Sequence, residues 1–156
     1  MSQTIEREPA RDRSEIAPAE IVCLVDDDPS VRKSVSRLLE IAGFEVRAFG
    51  EPKVFLEHLA KNPVPVVILD IWMESMTGME LLAHLCARSP DTRAIFITGR
   101  DDHAARATVM QAGAFAFLIK PFDDNQLLSE VHRALDIPLQ KKEEPVNAPL
   151  RKPDRD

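Results

Sequence analysis

Val66-Val67-Ile68-Leu69-Asp70, running on into Ile71-Trp72-Met73-Glu74-Ser75-Met76-Thr77-Gly78, is the stretch from which the rest of the chain is read. Four consecutive aliphatics after Pro65 predict a strand buried on both faces, the habit of a parallel sheet covered by helices. Asp70 emerges where that strand ends, and in open α/β sheets ligands bind outside the carboxyl ends of the strands. Two other stretches end in the same way. Ile21-Val22-Cys23-Leu24-Val25 runs into Asp26-Asp27-Asp28, and Ala116-Phe117-Leu118-Ile119 runs into Lys120-Pro121. Placed side by side in parallel, these strands bring several carboxylates and one ammonium to one edge, where like charges need a counter-charge.

The segments between them are helical in period. From Pro29 to Ala42, Val31, Val35, Leu38, Leu39 and Ala42 share one face, with Pro29 suited to a first turn and Gly43 to a stop. Phe44 to Phe49 alternates as a half-exposed strand. Pro52 to Lys61 predicts a helix burying Val54, Phe55 and Leu59. Gly78 opens a helix on Leu81, Leu82 and Leu85 that ends near Ser89-Pro90. Arg93 to Thr98 predicts a fourth strand, Asp102 to Ala112 a helix closed by Gly113, Ala114 to Lys120 a fifth strand, and Asp123 to Leu135 a last helix capped by Asp123 or Asp124. Five strand-helix alternations imply an α/β fold, a flavodoxin-like doubly wound five-stranded parallel sheet of order 2-1-3-4-5 with five helices. In that order the first and third strands are neighbours, so Asp26, Asp27 and Asp70 meet at the switch point, flanked by Thr98 and Lys120.

Composition bounds the function. The 156 residues suffice for one domain, and 44% hydrophobic with 29% charged is ordinary globular composition. A net charge of -6 argues against a general nucleic-acid surface. Cys23 and Cys86 lack metal-ligand spacing and are expected to be reduced core residues. His58, His84, His103 and His132 form no cluster. Neither a membrane span nor a signal-peptide apolar region is present, so a soluble, cytoplasmic protein is expected. Residues 1–19 carry four acids, three arginines and two prolines without apolar period, and 137–156 are also proline-rich and charged. Both are expected to be flexible tails around a domain spanning 20–136.

Asp-Asp after the first strand, Asp ending the third, Thr98-Gly99 after the fourth and Lys120-Pro121-Phe122 after the fifth together resemble the receiver domain of two-component response regulators. The resemblance covers roughly residues 20 to 136 and implies that Asp70 is the phosphoacceptor. It implies Mg²⁺ held by Asp26, Asp27, Asp70 and the backbone carbonyl of Trp72, with Thr98 and Phe117 as a switch pair and Lys120 meeting the phosphoryl oxygens. The implied partners are a histidine kinase or phosphotransfer protein and a downstream protein target, with a homodimer through the fourth helix, fifth strand and fifth helix as a further expectation from Phe115, Val109 and Met110. No direct nucleic-acid or membrane contact and no enzyme activity are expected beyond Mg²⁺-dependent self-phosphorylation and autodephosphorylation. The residue chemistry agrees. A hard divalent cation relieves carboxylate repulsion, and an attacking aspartate needs the charge on the equatorial phosphoryl oxygens neutralised.

Plainer roles compete. Asp28 before Pro29 is expected to be a helix cap. The family commonly has proline where Glu74 stands, four residues after Asp70, and Trp72 and Arg100 are bulky modulators that should flank the path of a hydrolytic water. Crowding there predicts a long-lived phosphorylated state, unless both side chains point to solvent or pack on Glu74, with Glu74 pairing with Arg100. The Lys120-Pro121 bond is expected to be cis. Three other classes fit less well. A flavin carrier would want a Ser/Thr/Gly-rich phosphate loop in place of Asp26-Asp27-Asp28. An aspartyl-phosphate phosphatase would want a second acid two residues after Asp70. A phosphate-independent scaffold would not need this set of acids and lysine. A truncated receiver of a DNA-binding regulator is compatible with the same residues.

Overall fold

A computed structural model describes residues 19–136, so the predicted tails, apart from Ala19, lie outside the described residues. The elements alternate as β1 (Ile21–Val25), α1 (Pro29–Ile41), β2 (Glu45–Phe49), α2 (Pro52–Lys61), β3 (Val66–Leu69), α3 (Gly78–Arg88), β4 (Arg93–Thr98), α4 (His103–Gln111), β5 (Ala116–Ile119) and α5 (Asp124–Asp136). All strand pairs are parallel, and the spatial order is β2-β1-β3-β4-β5, the predicted 2-1-3-4-5.

The period-2 alternation of side chains divides each central strand between two cores. Cys23, Val25, Val67, Leu69 and Phe96 face one layer, with Phe55, Leu59, Leu81, Leu85 and Val109 from α2, α3 and α4. Val22, Leu24, Val66, Ile68, Ile95 and Ile97 face the other, with Val35 and Leu39 from α1 and Leu127 and Val131 from α5. All four side chains of β3 are fully buried, each worth roughly 1.5–3 kcal/mol of removed apolar surface. The β3 stretch is therefore the structural axis of the molecule as well as its most legible sequence.

Helix ends follow the expected chemistry. Asp28 caps α1, its Oδ1 accepting the Ser30 N–H at 2.9 Å, and Asp102 caps α4 through the Ala105 N–H at 3.0 Å. Thr77 and Glu80 form a reciprocal capping box at the start of α3. Asp123 stands just before α5, its own N–H donating to Gln126 Oε1. Gly43 and Gly113 follow α1 and α4 at φ of 102° and 114°, where an L side chain is strained. The Lys120-Pro121 bond is cis.

Several expectations are corrected. Val54 is 49% exposed, and Leu56 takes the inward place, because Pro52, Phe55, Leu56 and Leu59 form the apolar stripe of α2. Ala42 is exposed as the C-cap of α1. β5 is shorter than the predicted 114–120, beginning at Ala116 and ending before Lys120. Cys86 is exposed, its thiol donating to the Ala112 carbonyl, whereas Cys23 is buried and desolvation pushes its thiol up to about 11. Val109 is fully buried, and Phe115 lies against the guanidinium groups of Arg93 and Arg133. Of the three residues that suggested an exposed apolar dimer face, only Met110 is exposed.

Candidate functional site

β1, β3 and β4 all end at one edge of the sheet, and each delivers a polar residue just where its apolar run stops. Asp26, Asp70 and Thr98 are the only polar or charged residues buried among those described, at 1%, 9% and 0% exposure. Burying two carboxylates and a hydroxyl at one sheet edge costs stability unless partners compensate, so such a cluster marks a working site.

The partners are mostly backbone N–H groups. Asp26 Oδ1 accepts the Asp28 N–H at 2.9 Å, Asp70 Oδ1 the Trp72 N–H at 3.3 Å, and Thr98 Oγ1 the Arg100 N–H at 3.3 Å. Asp27 is exposed and reaches across to the β3–α3 loop, where its Oδ2 accepts the Glu74 N–H at 3.0 Å. Lys120 Nζ stands 3.7 Å from Asp26 Oδ2, and the Lys120 N–H donates to the Thr98 carbonyl at 2.8 Å, tying the end of β5 to that of β4. Asp26, Asp27, Asp70, Thr98 and Lys120 are thus brought together as expected.

The Asp26 carboxyl titrates above its ordinary range. Desolvation is the main cause; the Asp28 N–H and Lys120 pull it down, while Asp70 and Asp27 push it up. Both neighbouring carboxylates are therefore close enough to repel its charge. Asp26 Oδ2 is buried without a hydrogen-bond partner, its nearest counter-charge the lysine at 3.7 Å. An orphaned, acid-flanked oxygen of this kind fits a hard cation with oxygen ligands. Among the described residues no three His, Cys, Asp or Glu side chains form a ready ligand cage.

Other expected residues take less obvious places. Phe117 points inward at 8% exposure, with the Arg106 guanidinium 5.5 Å from its ring centroid. Trp72 is half-buried and Arg100 exposed, and the Arg100 guanidinium lies over the indole, 4.7 Å from its centroid. Arg100 thus stacks on Trp72, and the backbone N–H of Glu74 serves Asp27. Two contributors were missed. Arg32, one turn into α1, donates Nη1 to the Asp26 carbonyl at 2.8 Å and closes against Gly50. Gly78 packs so tightly that a Cβ would stand 2.4 Å from the Asp70 carbonyl oxygen and 2.8 Å from both Ile71 Cα and the Phe96 ring. Gly78 was legible as a helix start but not as a contact, since nothing local in sequence records what lies opposite it.

A model of the response regulator receiver domain matches residues 22–132. The chain belongs to this family. Among curated relatives, the C4-dicarboxylate transport transcriptional regulatory protein DctD of Pseudomonas aeruginosa is 37% identical over 116 residues, which is 74% of this chain and 25% of that protein. The receiver spans only about a quarter of the length of the curated relatives it matches first. Among solved structures, the CheY-like receiver domain protein from Methanospirillum hungatei JF-1 superposes with a TM-score of 0.73 at 26% identity, covering 81% of this chain and 99% of that one. The beryllofluoride-activated NtrC4 receiver domain, described as a dimer, superposes at 0.70 and 29% identity, covering 73% and 94%. Among the described residues of the receiver, no helix is long and apolar enough to cross a membrane.

Proposed function

We propose that Asp70 of this receiver accepts a phosphoryl group from a histidine kinase or phosphotransfer protein and that the modified site switches a protein-contact surface. The observation that carries the reading is Asp70, nearly buried at the end of β3, beside the orphaned oxygen of Asp26 and the Lys120 ammonium. An Asp70 oxygen attacks phosphorus in line while the bond to the donor's leaving group breaks, and negative charge spreads over the three equatorial oxygens. Lys120 offsets that charge from the β5 side. Asp26 and Asp27, with Asp70 and the Trp72 carbonyl, are the residues that would hold Mg²⁺, which when bound neutralises phosphoryl charge on the other side. Thr98 then donates its hydroxyl to a phosphoryl oxygen, and Phe117, on the neighbouring strand β5, passes the shift to α4.

Contact with a downstream protein through α4, β5 and α5 is the proposed output. The first-matched relatives include transcriptional regulators, and a truncated receiver of a DNA-binding regulator remains the second reading. Treatment with acetyl phosphate and Mg²⁺ tests the assignment. Wild type should gain one phosphoryl group on the peptide carrying Asp70, and Asp70→Asn should gain none there; the same phosphopeptide in the variant would sink it.

A further inference from the structure

The peptide that joins Asp26 to Asp27 is held from outside its own loop. The Arg32 N–H donates to the Asp28 carbonyl at 3.0 Å as α1 begins, and the Arg32 side chain turns back so that Nη1 donates to the Asp26 carbonyl at 2.8 Å. On the other side, the Asp26 N–H donates to the carbonyl of Phe49 at the end of β2, 3.1 Å away. Asp26 is thus fixed at both of its backbone polar groups. The plane of the peptide from which Asp27 departs is set by a guanidinium, whose rigid fork of donors suits that task better than a flexible ammonium.

Gly50 shows that room is kept for this guanidinium. A Cβ on Gly50 would stand 2.8 Å from Arg32 Nη1, 3.1 Å from Cζ and 3.5 Å from Nη2, the three nearest atoms beyond its chain neighbours. Gly50 is not among the glycines at positive φ, so its backbone does not itself require glycine. The missing side chain where β2 meets α2 therefore serves Arg32. Asp27, Glu51 and Glu74 line the open cleft beside it, yet Nη1 goes to a backbone carbonyl. Position, more than charge, is what the contact provides.

We propose that Arg32 is a positioning residue for cation binding: through the Asp26 carbonyl it holds Asp26 and Asp27 in the arrangement that takes Mg²⁺, and Gly50 keeps the space it needs. This rests on the reading of Asp26 and Asp27 as the residues that would hold the cation. Charge and position act here in opposite directions. A guanidinium near a cation repels it, so its removal as a charge alone would tighten binding. Its removal as a strut frees the peptide to turn and weakens binding by roughly tenfold, the scale found for residues that orient metal ligands.

The test titrates wild type, Arg32→Met, Gly50→Ala and the double variant with Mg²⁺, followed by fluorescence of Trp72, the only tryptophan, and with Mn²⁺, followed by the EPR signal of the free ion. Arg32→Met keeps the length of the stem and removes the fork, whereas Gly50→Ala keeps the charge and displaces the fork. Each should weaken both cations by roughly tenfold, and the double variant by no more than the stronger single one, because Gly50 acts through Arg32. Tighter or unchanged binding in Arg32→Met, or losses that add in the double variant, would overturn the proposal. Cooperative urea unfolding in metal-free buffer checks that each variant folds, and Gly50→Ala carries the test alone should Arg32→Met fail to. Wild type that binds neither cation would overturn the reading of the two acids and the proposal with it; wild-type affinity in Gly50→Ala would overturn the proposal alone.

Discussion

Asp26 sets the terms at the scale of single residues. Its carboxylate is 1% exposed, holds one backbone hydrogen bond, and leaves Oδ2 to a lysine 3.7 Å away. Desolvation dominates its titration and raises its pKa above the ordinary 3.8. The folded state therefore keeps this proton to higher pH than the unfolded chain does. Stability falls as pH rises from about 3.8 through the folded-state value, and above that window the cost of the buried charge is fully present. Asp26→Asn retains an acceptor for the Asp28 N–H and removes the charge. In Mg²⁺-free buffer at pH 7 the variant should be more stable than wild type by roughly 1 kcal/mol. Thermal unfolding followed from pH 7 down toward 3.5 should show the two midpoints converging. A variant less stable than wild type at pH 7 would mean that the Lys120 pairing outweighs desolvation.

The element that most constrains the site is α3, because its first residue presses on the end of β3. Three heavy atoms, two of them backbone, stand within 2.8 Å of where a Gly78 side chain would begin. The Gly78 N–H also donates to the Ile71 carbonyl at 2.7 Å, fixing the loop that carries Trp72 and Glu74. Gly78→Ala should cost about 1–3 kcal/mol by overpacking and shift the Asp70 backbone, lowering the acetyl phosphate reaction rate as well. Thr77→Ala offers the control. It removes one capping bond at the exposed start of the same helix, should cost about 1 kcal/mol, and should leave the phosphorylation rate near wild type. Urea midpoints and rates measured on both variants separate the two effects; equal losses of rate would mean that helix stability, not the close approach, governs the site.

At the scale of the whole molecule, the proposed phosphoryl site lies at one edge of the sheet and the proposed contact face runs along α4, β5 and α5. Two of the residues that suggested an apolar dimer surface there are covered, Val109 by the core and Phe115 by two arginines, leaving Met110 at 40% exposure. So small an apolar patch does not hold two subunits together unaided. Sedimentation should find a monomer in the unmodified state. Association through this face, if phosphorylation induces it, should be weakened by Met110→Asp without loss of Asp70 phosphorylation. A stable dimer before any phosphoryl mimic is added would place the contact elsewhere.

What the sequence by itself determined was the order of elements, the parallel sheet and the convergence of Asp26, Asp27, Asp70, Thr98 and Lys120. Those features are written in local patterns: unbroken aliphatic runs, helical spacing and the polar residue that ends each run. The chain order of alternating elements then dictates which strand ends are neighbours. Tertiary structure alone decided which face of α2 turns inward, placing Leu56 where Val54 was expected, because two overlapping stripes of the same period differ only in what they meet. It also decided the approach of Gly78 to Asp70, the reach of Arg32 to the Asp26 carbonyl and the stacking of Arg100 on Trp72. The first two fold a strand-to-helix loop back on the strand that precedes it and the third joins two different loops, and no periodicity records any of them. Their partners exist only once the strands have taken their places in the sheet.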